Sequence, residues 1–212
     1  MYQLDHVVIA AADLEHAKAA FADETGVLPI DGGPHLGLGT RNALASFGES
    51  YLEIIAPDPA QALEGTMGAR LVELEAPRLL HWAIRVDDLE RYMTLARECG
   101  LDPTPARRTS RRTPQGVALT WQLFGVRGHS LGGLVPFFID WLDCPHPSQS
   151  APRVGAVELT VTLPRGSSGA RLLREPPRGV TIATGAQGMK LAFRSPRGKI
   201  EMNDAAPAGF GL

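Results

Sequence analysis

Two histidines occupy matching places in two similar stretches of the sequence, each in an otherwise apolar strand pattern. His6 lies in Leu4–Ala10, and His81 lies in Leu80–Val86, 75 positions further along the chain. An imidazole can exchange a proton near neutral pH, and its neutral form binds transition metals. A histidine in a strand is also often a buried hydrogen-bonding residue. The residue pattern alone leaves both interpretations open.

These histidines belong to a unit with the element order β-α-β-β-β. In the first unit, residues 1–57, Asp13 is the expected N-cap of a helix and Gly26 its C-cap. A strand pattern at Tyr51–Ile55 closes the unit and contains Glu53. The two strands between the helix and this last strand are expected near residues 27–30 and 42–47, with a turn at 31–34.

The second unit, residues 78–148, repeats this plan. Its helix is predicted from Asp88 to about Cys99, and its closing strand, Leu134–Trp141, contains Asp140. Two further strands are expected near 105–113 and 117–126. Residues 58–77 lie between the two units and are predicted to form a helical connector.

A third segment, residues 149–212, has a weaker pattern in the same order. Its predicted helix is poor, because Arg171 and Arg174 interrupt the apolar face and Pro176 ends it. We interpret the segment as a degenerate third unit that packs on the other two. It is expected to cover sheet edges or to form a dimer contact rather than to hold a site.

The composition excludes several classes of partner. The chain has 212 residues, 44% of them hydrophobic, and a formal net charge of −2. This balance provides no general attraction to nucleic acid or to an anionic membrane. No run approaches the 18 apolar residues of a membrane span, and Cys99 and Cys144 form no disulfide framework. A cytoplasmic location is therefore expected.

Four arginines alternate with Thr and Ser in one predicted strand, as Arg107, Arg108, Arg111 and Arg112. Such a tract could bind phosphate. The favoured interpretation is a solvated edge strand, because charged edge strands discourage aggregation.

Hydrogen-bond donors also cluster in the stretch 32–44. His35, Thr40 and Asn42 are candidates for substrate binding, next to glycines that permit close approach of the backbone. An ordinary loop of this composition is the alternative. Trp141 and His146, at and just after the closing strand, are further candidates, although a plain linker also accounts for His146.

Several of these motifs resemble the glyoxalase-like domain family of the vicinal oxygen chelate superfamily, which includes glyoxalases, extradiol dioxygenases, fosfomycin-resistance enzymes and bleomycin-binding proteins. The resemblance implies an α+β fold in which paired βαβββ units form a cupped, barrel-like mixed sheet. It covers nearly the whole chain and is more specific for fold than for reaction. The motifs that carry it are Gly32–Leu44, Tyr51–Glu53, Pro136–Trp141 and His146–Ser148.

The resemblance also implies a site inside the cup. Members of the superfamily hold a divalent metal with residues from the first and last strands of each unit, and these positions here hold His6, Glu53, His81 and Asp140. Such ligands suit Zn, Fe, Mn or Ni, which would polarise substrate oxygens as a Lewis acid. Asp140 is shorter than the Glu usual in metal-binding members, and Glu53 could instead lie on the outward face of its strand.

Two functions follow as hypotheses. The first is a metal-dependent lyase, isomerase or dioxygenase that acts on a small oxygenated substrate, with Glu53 as a catalytic residue. The second is a metal-free protein that binds or sequesters a small molecule, as bleomycin-resistance proteins do. Both predict a small-molecule ligand and no nucleic-acid or membrane partner, and both allow a homodimer.

Overall fold

The structure is a computed structural model that describes residues 1–113 and 116–205. The end of the predicted third unit, residues 206–212, lies outside the described part of the chain.

The first unit has the predicted order of elements. Its second strand differs from the prediction, because the residues expected to form a turn at 31–34 lie in that strand and the turn follows it. Pro34 is tolerated there because the strand pairs through backbone bonds on one side only. The elements are β1 (Tyr2–Ala10), α1 (Leu14–Thr25), β2 (Ile30–His35), β3 (Thr40–Ser46) and β4 (Tyr51–Pro57).

The connector contains one short helix, α2 (Met67–Leu71), and is otherwise irregular. The second unit then follows the predicted plan, with one extra pair of two-residue strands. Its elements are β5 (Arg78–Val86), α3 (Leu89–Glu98), β6 (Asp102–Pro103), β7 (Arg107–Arg112), β8 (Ala118–Phe124), β9 (Val126–Arg127) and β10 (Phe137–Asp140).

The two longer helices end where the sequence predicts. Asp13 accepts a hydrogen bond from the backbone N–H of His16, and Gly26 ends α1 in the left-handed conformation. Asp88 caps α3 in the same way, by accepting from the N–H of Arg91. Among the described residues, no helix is long and apolar enough to cross a membrane.

The two units join into one eight-stranded sheet with the order β2-β3-β4-β1-β5-β10-β8-β7. Within each unit the first and last strands are parallel neighbours, β1 with β4 and β5 with β10. The first strands of the two units, β1 and β5, pair antiparallel in the middle of the sheet. The prediction of paired βαβββ units in a cupped, barrel-like sheet is therefore confirmed.

The two edges of this sheet meet at a seam between β2 and β7. The guanidinium of Arg111 donates a hydrogen bond to the carbonyl of Gly32, which is the extra residue where the β2–β3 register shifts. A Cβ on Gly33 would lie 2.7 Å from the carbonyl oxygen of Arg112, so only glycine allows the two strands this close. Arg111 is buried, and the prediction of a wholly solvated arginine edge is wrong at this residue.

The third segment has the predicted element order, with strands that pair differently from those of the first two units. Its order is β12-β11-β13-β14, and its first strand is parallel to its second rather than to its last. Apolar residues of this sheet share one buried cluster with α1, α3 and the convex face of the large sheet. The elements are β11 (Val157–Leu163), α4 (Ser168–Leu172), β12 (Val180–Thr184), β13 (Gly188–Ser195) and β14 (Gly198–Asp204).

The seam can be tested by replacing Arg111 with Met, which keeps much of the side-chain length but leaves the Gly32 carbonyl without this donor. We expect the free energy of unfolding to fall by about 1–3 kcal/mol, since an unsatisfied buried carbonyl costs that much. Arg112→Met is the matched control, because Arg112 is exposed and should change stability by less than about 0.5 kcal/mol. Equal effects of both variants in urea titrations would contradict a structural role for Arg111.

Candidate active site

The concave face of the large sheet encloses a cavity of about 560 Å³. Aromatic and aliphatic side chains form most of its wall, and ionisable side chains cluster at two places on it. One cluster comes from β1, β4, β5 and the β2–β3 hairpin, and the other from β7. The first comprises His6, His35, Glu53 and His81 together with the amide of Asn42, and the second includes Arg107, Arg108 and Arg111.

Two register shifts in the central strand pair shape the cavity wall. In β1 the shift leaves Asp5 as an extra residue between Leu4 and His6, and in β5 the corresponding shift falls at Leu80, next to His81. Asp5 and Leu80 are 75 positions apart, like the two histidines. A bulge re-aims the side chains on both sides of it. The repeated unit therefore carries the bulge twice, with a carboxylate in the first copy and an apolar residue in the second.

Asp5 is fully buried and accepts hydrogen bonds from three rings. His6 Nδ1 lies 2.5 Å from one carboxylate oxygen, while Trp141 Nε1 and His146 Nε2 each lie 2.9 Å from the other. Burial alone would raise the pKa of Asp5, but the hydrogen bonds from His146 and His6 outweigh it and hold the pKa well below its ordinary value. Asp5 is therefore ionised and fixes a proton on His6 Nδ1.

The opposite nitrogen of His6 faces Glu53. His6 Nε2 lies 3.4 Å from Glu53 Oε2, and the imidazole stacks on the ring of Tyr51 with 4.6 Å between ring centres. Glu53 is itself buried but lines the cavity. His6 is thus held between two carboxylates, one closed off from the cavity and one open to it.

On its other side, Glu53 accepts a hydrogen bond from Asn42. Asn42 Nδ2 donates to Glu53 Oε1 at 2.5 Å and lies 3.3 Å from His35 Nε2, while His35 Nδ1 lies 3.1 Å from Thr40 Oγ1. An amide nitrogen can only donate, so His35 Nε2 accepts and the proton of this ring is on Nδ1. The side-chain oxygen of Asn42 is buried and has no hydrogen-bond partner in the part of the chain that is described.

At neutral pH Glu53 is charged, whereas burial favours the uncharged form of His35. Burial alone would raise the pKa of Glu53, but the adjacent His35 and His6 and the hydrogen bond from Asn42 lower it below its ordinary value. Burial lowers the pKa of His35, which favours the neutral ring. The cavity therefore contains an ionised carboxylate next to a neutral imidazole.

His81 lies on the same cavity in a different environment. Its Nε2 lies 2.7 Å from the carbonyl oxygen of Val135 and donates to it, and its ring contacts Phe137. Burial lowers the pKa of His81 to about 4, and no carboxylate of the described residues is near enough to oppose the loss of water. At neutral pH this imidazole is uncharged.

The four predicted metal ligands are not brought together. His6 and Glu53 face each other, but the Nε2 of His81 is bound to the Val135 carbonyl. Asp140 is not part of the cavity wall, since it accepts from the N–H of Leu142 in the turn after β10. Within residues 1–113 and 116–205, no group of three His, Cys, Asp or Glu side chains is arranged to hold a metal ion. The predicted donor set does not fit a metal ion in this arrangement.

The predicted substrate-binding residues lie in two shells. His35, Asn42 and Trp141 line the cavity. Thr40 lies behind His35, and His146 lies behind Asp5, so both contact other site residues rather than the cavity.

Sequence reasoning missed Asp5, Tyr51 and Arg107 as site residues. Strict strand alternation places Asp5 and His6 on opposite faces, and only the bulge lets them interact. For Tyr51, its position two residues before Glu53 places it on the same face of β4 and could have identified it.

A cup built from two βαβββ units with a His–Glu cluster inside defines the class, the vicinal oxygen chelate superfamily. The model of the glyoxalase-like domain family matches residues 4–171, and the chain belongs to that family.

The chain is similar to several solved structures that are distant from it in sequence. A hypothetical protein from Staphylococcus aureus is 16% identical over 96% of this chain and 86% of that chain, with a TM-score of 0.65. A hypothetical protein from Bacillus halodurans is 18% identical over 68% of this chain and 97% of that chain, with a TM-score of 0.51. Methylmalonyl-CoA epimerase from Mycobacterium tuberculosis is 24% identical over 68% of this chain and 89% of that chain, with a TM-score of 0.48. No curated protein matches the sequence.

The lowered pKa of His81 predicts a pH dependence of stability. His81 binds a proton near pH 6.5 in the unfolded protein but only near pH 4 in the folded protein. Between these two pH values the unfolded state binds more protons than the folded state. The free energy of unfolding therefore falls as the pH falls from 6.5 to 4. We expect His81→Gln to remove about 2 kcal/mol of this fall, after allowance for partial exposure to the cavity. Urea titrations from pH 4 to 7 measure it. His16→Gln, at an exposed histidine of α1, should leave the profile unchanged.

The buried carboxylate of Asp5 gives a second stability prediction. Asp5→Asn should lower the free energy of unfolding at pH 7 by about 3 kcal/mol, because it leaves three ring N–H groups with a poorer acceptor. Since the folded pKa is depressed, this contribution is present above about pH 4 and disappears as the pH falls further. The difference between variant and wild type should therefore shrink in acid. Asp143→Asn, at an exposed site nearby, is the control, and a gap that did not depend on pH would contradict the assignment.

Proposed function

We propose that this protein is an isomerase or lyase that moves a proton on a small oxygenated substrate held in the cup, with Glu53 as the base. One observation carries the proposal. Glu53 is an ionised carboxylate that is buried in the protein but open to the cavity, and it accepts a hydrogen bond from Asn42 and faces His6. A carboxylate in such a position can accept a proton from a bound molecule.

The side chains around Glu53 suit this reaction. Glu53 takes the proton from the carbon next to a substrate carbonyl, and the C–H electron pair forms a carbon–carbon double bond while the carbonyl oxygen becomes negative. Tyr51 lines the same cavity, and burial raises the pKa of its phenol well above the ordinary value, so it stays protonated and can donate to that oxygen. In an isomerase, protonated Glu53 then returns the proton to the substrate carbon. In a lyase, the enolate re-forms its carbonyl and breaks the bond from the next carbon to the leaving group, which departs with that electron pair and takes the proton from Glu53.

Asp5 and His146 are positioning residues in this scheme. Asp5 is closed off from the cavity, and it acts on the substrate only through the orientation of His6. His146 holds the second oxygen of Asp5 and is itself held by Ser148, with His146 Nδ1 2.8 Å from Ser148 Oγ. This chain of contacts keeps His6 Nε2 directed at Glu53.

The divalent metal implied by the family enters no step of this proposal. The predicted donors are otherwise engaged or lie elsewhere, so the proposal rests on proton transfer rather than on ring opening by a dioxygenase. A metal measurement therefore belongs in the test.

A second candidate is the metal-free binding protein. The aromatic side chains in the cavity wall favour it, since large apolar surfaces bind amphipathic molecules without any chemistry. These residues are Tyr51, Trp121, Phe137 and Trp141.

Proton exchange in D₂O separates the two candidates without knowledge of the full reaction. Purified protein is incubated with a panel of ketones, 2-oxo acids and 2-hydroxy acids, and the loss of each α-proton signal is followed by ¹H NMR. We expect wild type to exchange at least one member and Glu53→Gln to do so at least about 100-fold more slowly, the usual contribution of a general base. Glu24→Gln, at an exposed residue of α1, should exchange like wild type.

Two results of this experiment would contradict proton transfer by Glu53 alone. Saturable binding of a panel member with no exchange would support the binding protein. Exchange that requires about one equivalent of Zn, Fe, Mn or Ni, measured by mass spectrometry and lost in both His6→Ala and Glu53→Gln, would restore the metal-dependent enzyme. A homodimer and a cytoplasmic location remain predictions from the sequence.

A further inference from the structure

We infer that the molecule held in the cup carries an anionic group, a carboxylate or a phosphate, and that Arg107 on β7 binds it. The inference deepens the proposed function, on which it rests, by naming the class of substrate. It comes from the second cluster of ionisable residues on the cavity wall, which the proposed reaction does not use.

The register of β7 and β8 places Arg107 on the cavity side of its strand. Arg107 pairs with Leu123 and Thr109 pairs with Trp121, and residues that face each other across two strands project from the same face. Leu123 and Trp121 both line the cavity, as do Arg107 and Thr109. Arg108 also lines the cavity, but it pairs with Gln122 on the alternate face, so its side chain starts from the other side of the strand.

Among the described residues Arg107 has no partner, unlike Arg111, the other arginine on this face. Arg111 is buried and its guanidinium is bound to the carbonyl of Gly32 in the seam. Arg107 is exposed and forms no ion pair or hydrogen bond in the described part of the chain. A guanidinium has five donors in a planar fork that suits a carboxylate or a phosphate.

The charges of the cavity are separated. The acidic residue on its wall, Glu53, is already held by Asn42 and faces His6. On the β7 side, the arginines have no carboxylate partner within residues 1–113 and 116–205. An anionic substituent would be repelled next to Glu53 and attracted next to Arg107. The substrate should therefore lie with its anion towards β7 and its reacting carbon towards Glu53, and its apolar part against Trp121 and Phe137 between them.

Three probes that share a phenyl group test the inference by isothermal titration calorimetry. Phenylpyruvate carries a carboxylate, phenyl phosphate carries a phosphate, and phenylacetone is a neutral ketone. We expect at least one anion to bind about tenfold or more tightly than phenylacetone, and Arg107→Gln to remove that advantage. Arg112→Gln is the matched control, because Arg112 lies on the same strand but not on the cavity wall. The anion that binds more tightly identifies the group.

Three results would overturn the inference. The first is that the anions bind no more tightly than phenylacetone. The second is that Arg107→Gln binds the anions as tightly as wild type does. The third is that Arg112→Gln loses as much anion affinity as Arg107→Gln, which would indicate only a general electrostatic effect of the positive charges on the strand. Thermal melting of each variant shows whether it is folded.

The same titrations in Glu53→Gln keep this test separate from that of the proposed function. Anion binding that depends on Arg107 but comes without proton exchange would retain the anion site and reject the enzyme. Exchange of a neutral ketone that depends on Glu53 but not on Arg107 would retain the enzyme and reject the anion site.

Discussion

The buried carboxylate of Asp5 is the constraint on which the site depends. An ionised carboxylate without water is costly, and here ring N–H groups of His6, Trp141 and His146 replace that water. The three rings come from the first strand of one unit and the segment that follows the last strand of the other. The hydrogen bonds that stabilise this charge therefore also tie the two units together, and they orient the imidazole that faces Glu53.

The two copies of the repeated unit place their histidines in different environments because they differ at one pair of matching residues. Asp5 and Leu80 occupy the same bulge in the two copies, next to His6 and His81. With a carboxylate beside it, His6 is held between two acidic groups, whereas His81 has only a backbone carbonyl and remains neutral because burial lowers its pKa to about 4. One copy thus provides the histidine that faces Glu53, and the histidine of the other copy forms part of the cavity wall. A symmetric metal site with one histidine and one carboxylate from each copy is not what these side chains build.

Features set by local patterns were predictable from the sequence, and features set by contacts between distant strands were not. The family resemblance placed His6 and Glu53 in one cup, and Asp13 and Gly26 correctly marked the ends of α1. The role of Asp5 depends on a bulge that appears only when β1 is paired with β5, and the burial of Arg111 depends on the seam with β2. Asp140 does not line the cavity, because the short β10 ends at that residue and its side chain accepts a hydrogen bond in the following turn.

The third segment connects to this site through β1. The backbone N–H of Leu4 donates to the carbonyl of Arg178, and the N–H of Arg178 donates to the carbonyl of Tyr2, so the segment clamps β1 immediately before the bulge at Asp5. Its apolar face also covers the convex side of the large sheet, which keeps water from the strands that carry His6 and Glu53. A bulge removes a ladder hydrogen bond and loosens the strand next to it. Two backbone bonds at that point replace the lost restraint, and this is a physical reason for a cup of two units to carry a third sheet on its outer face.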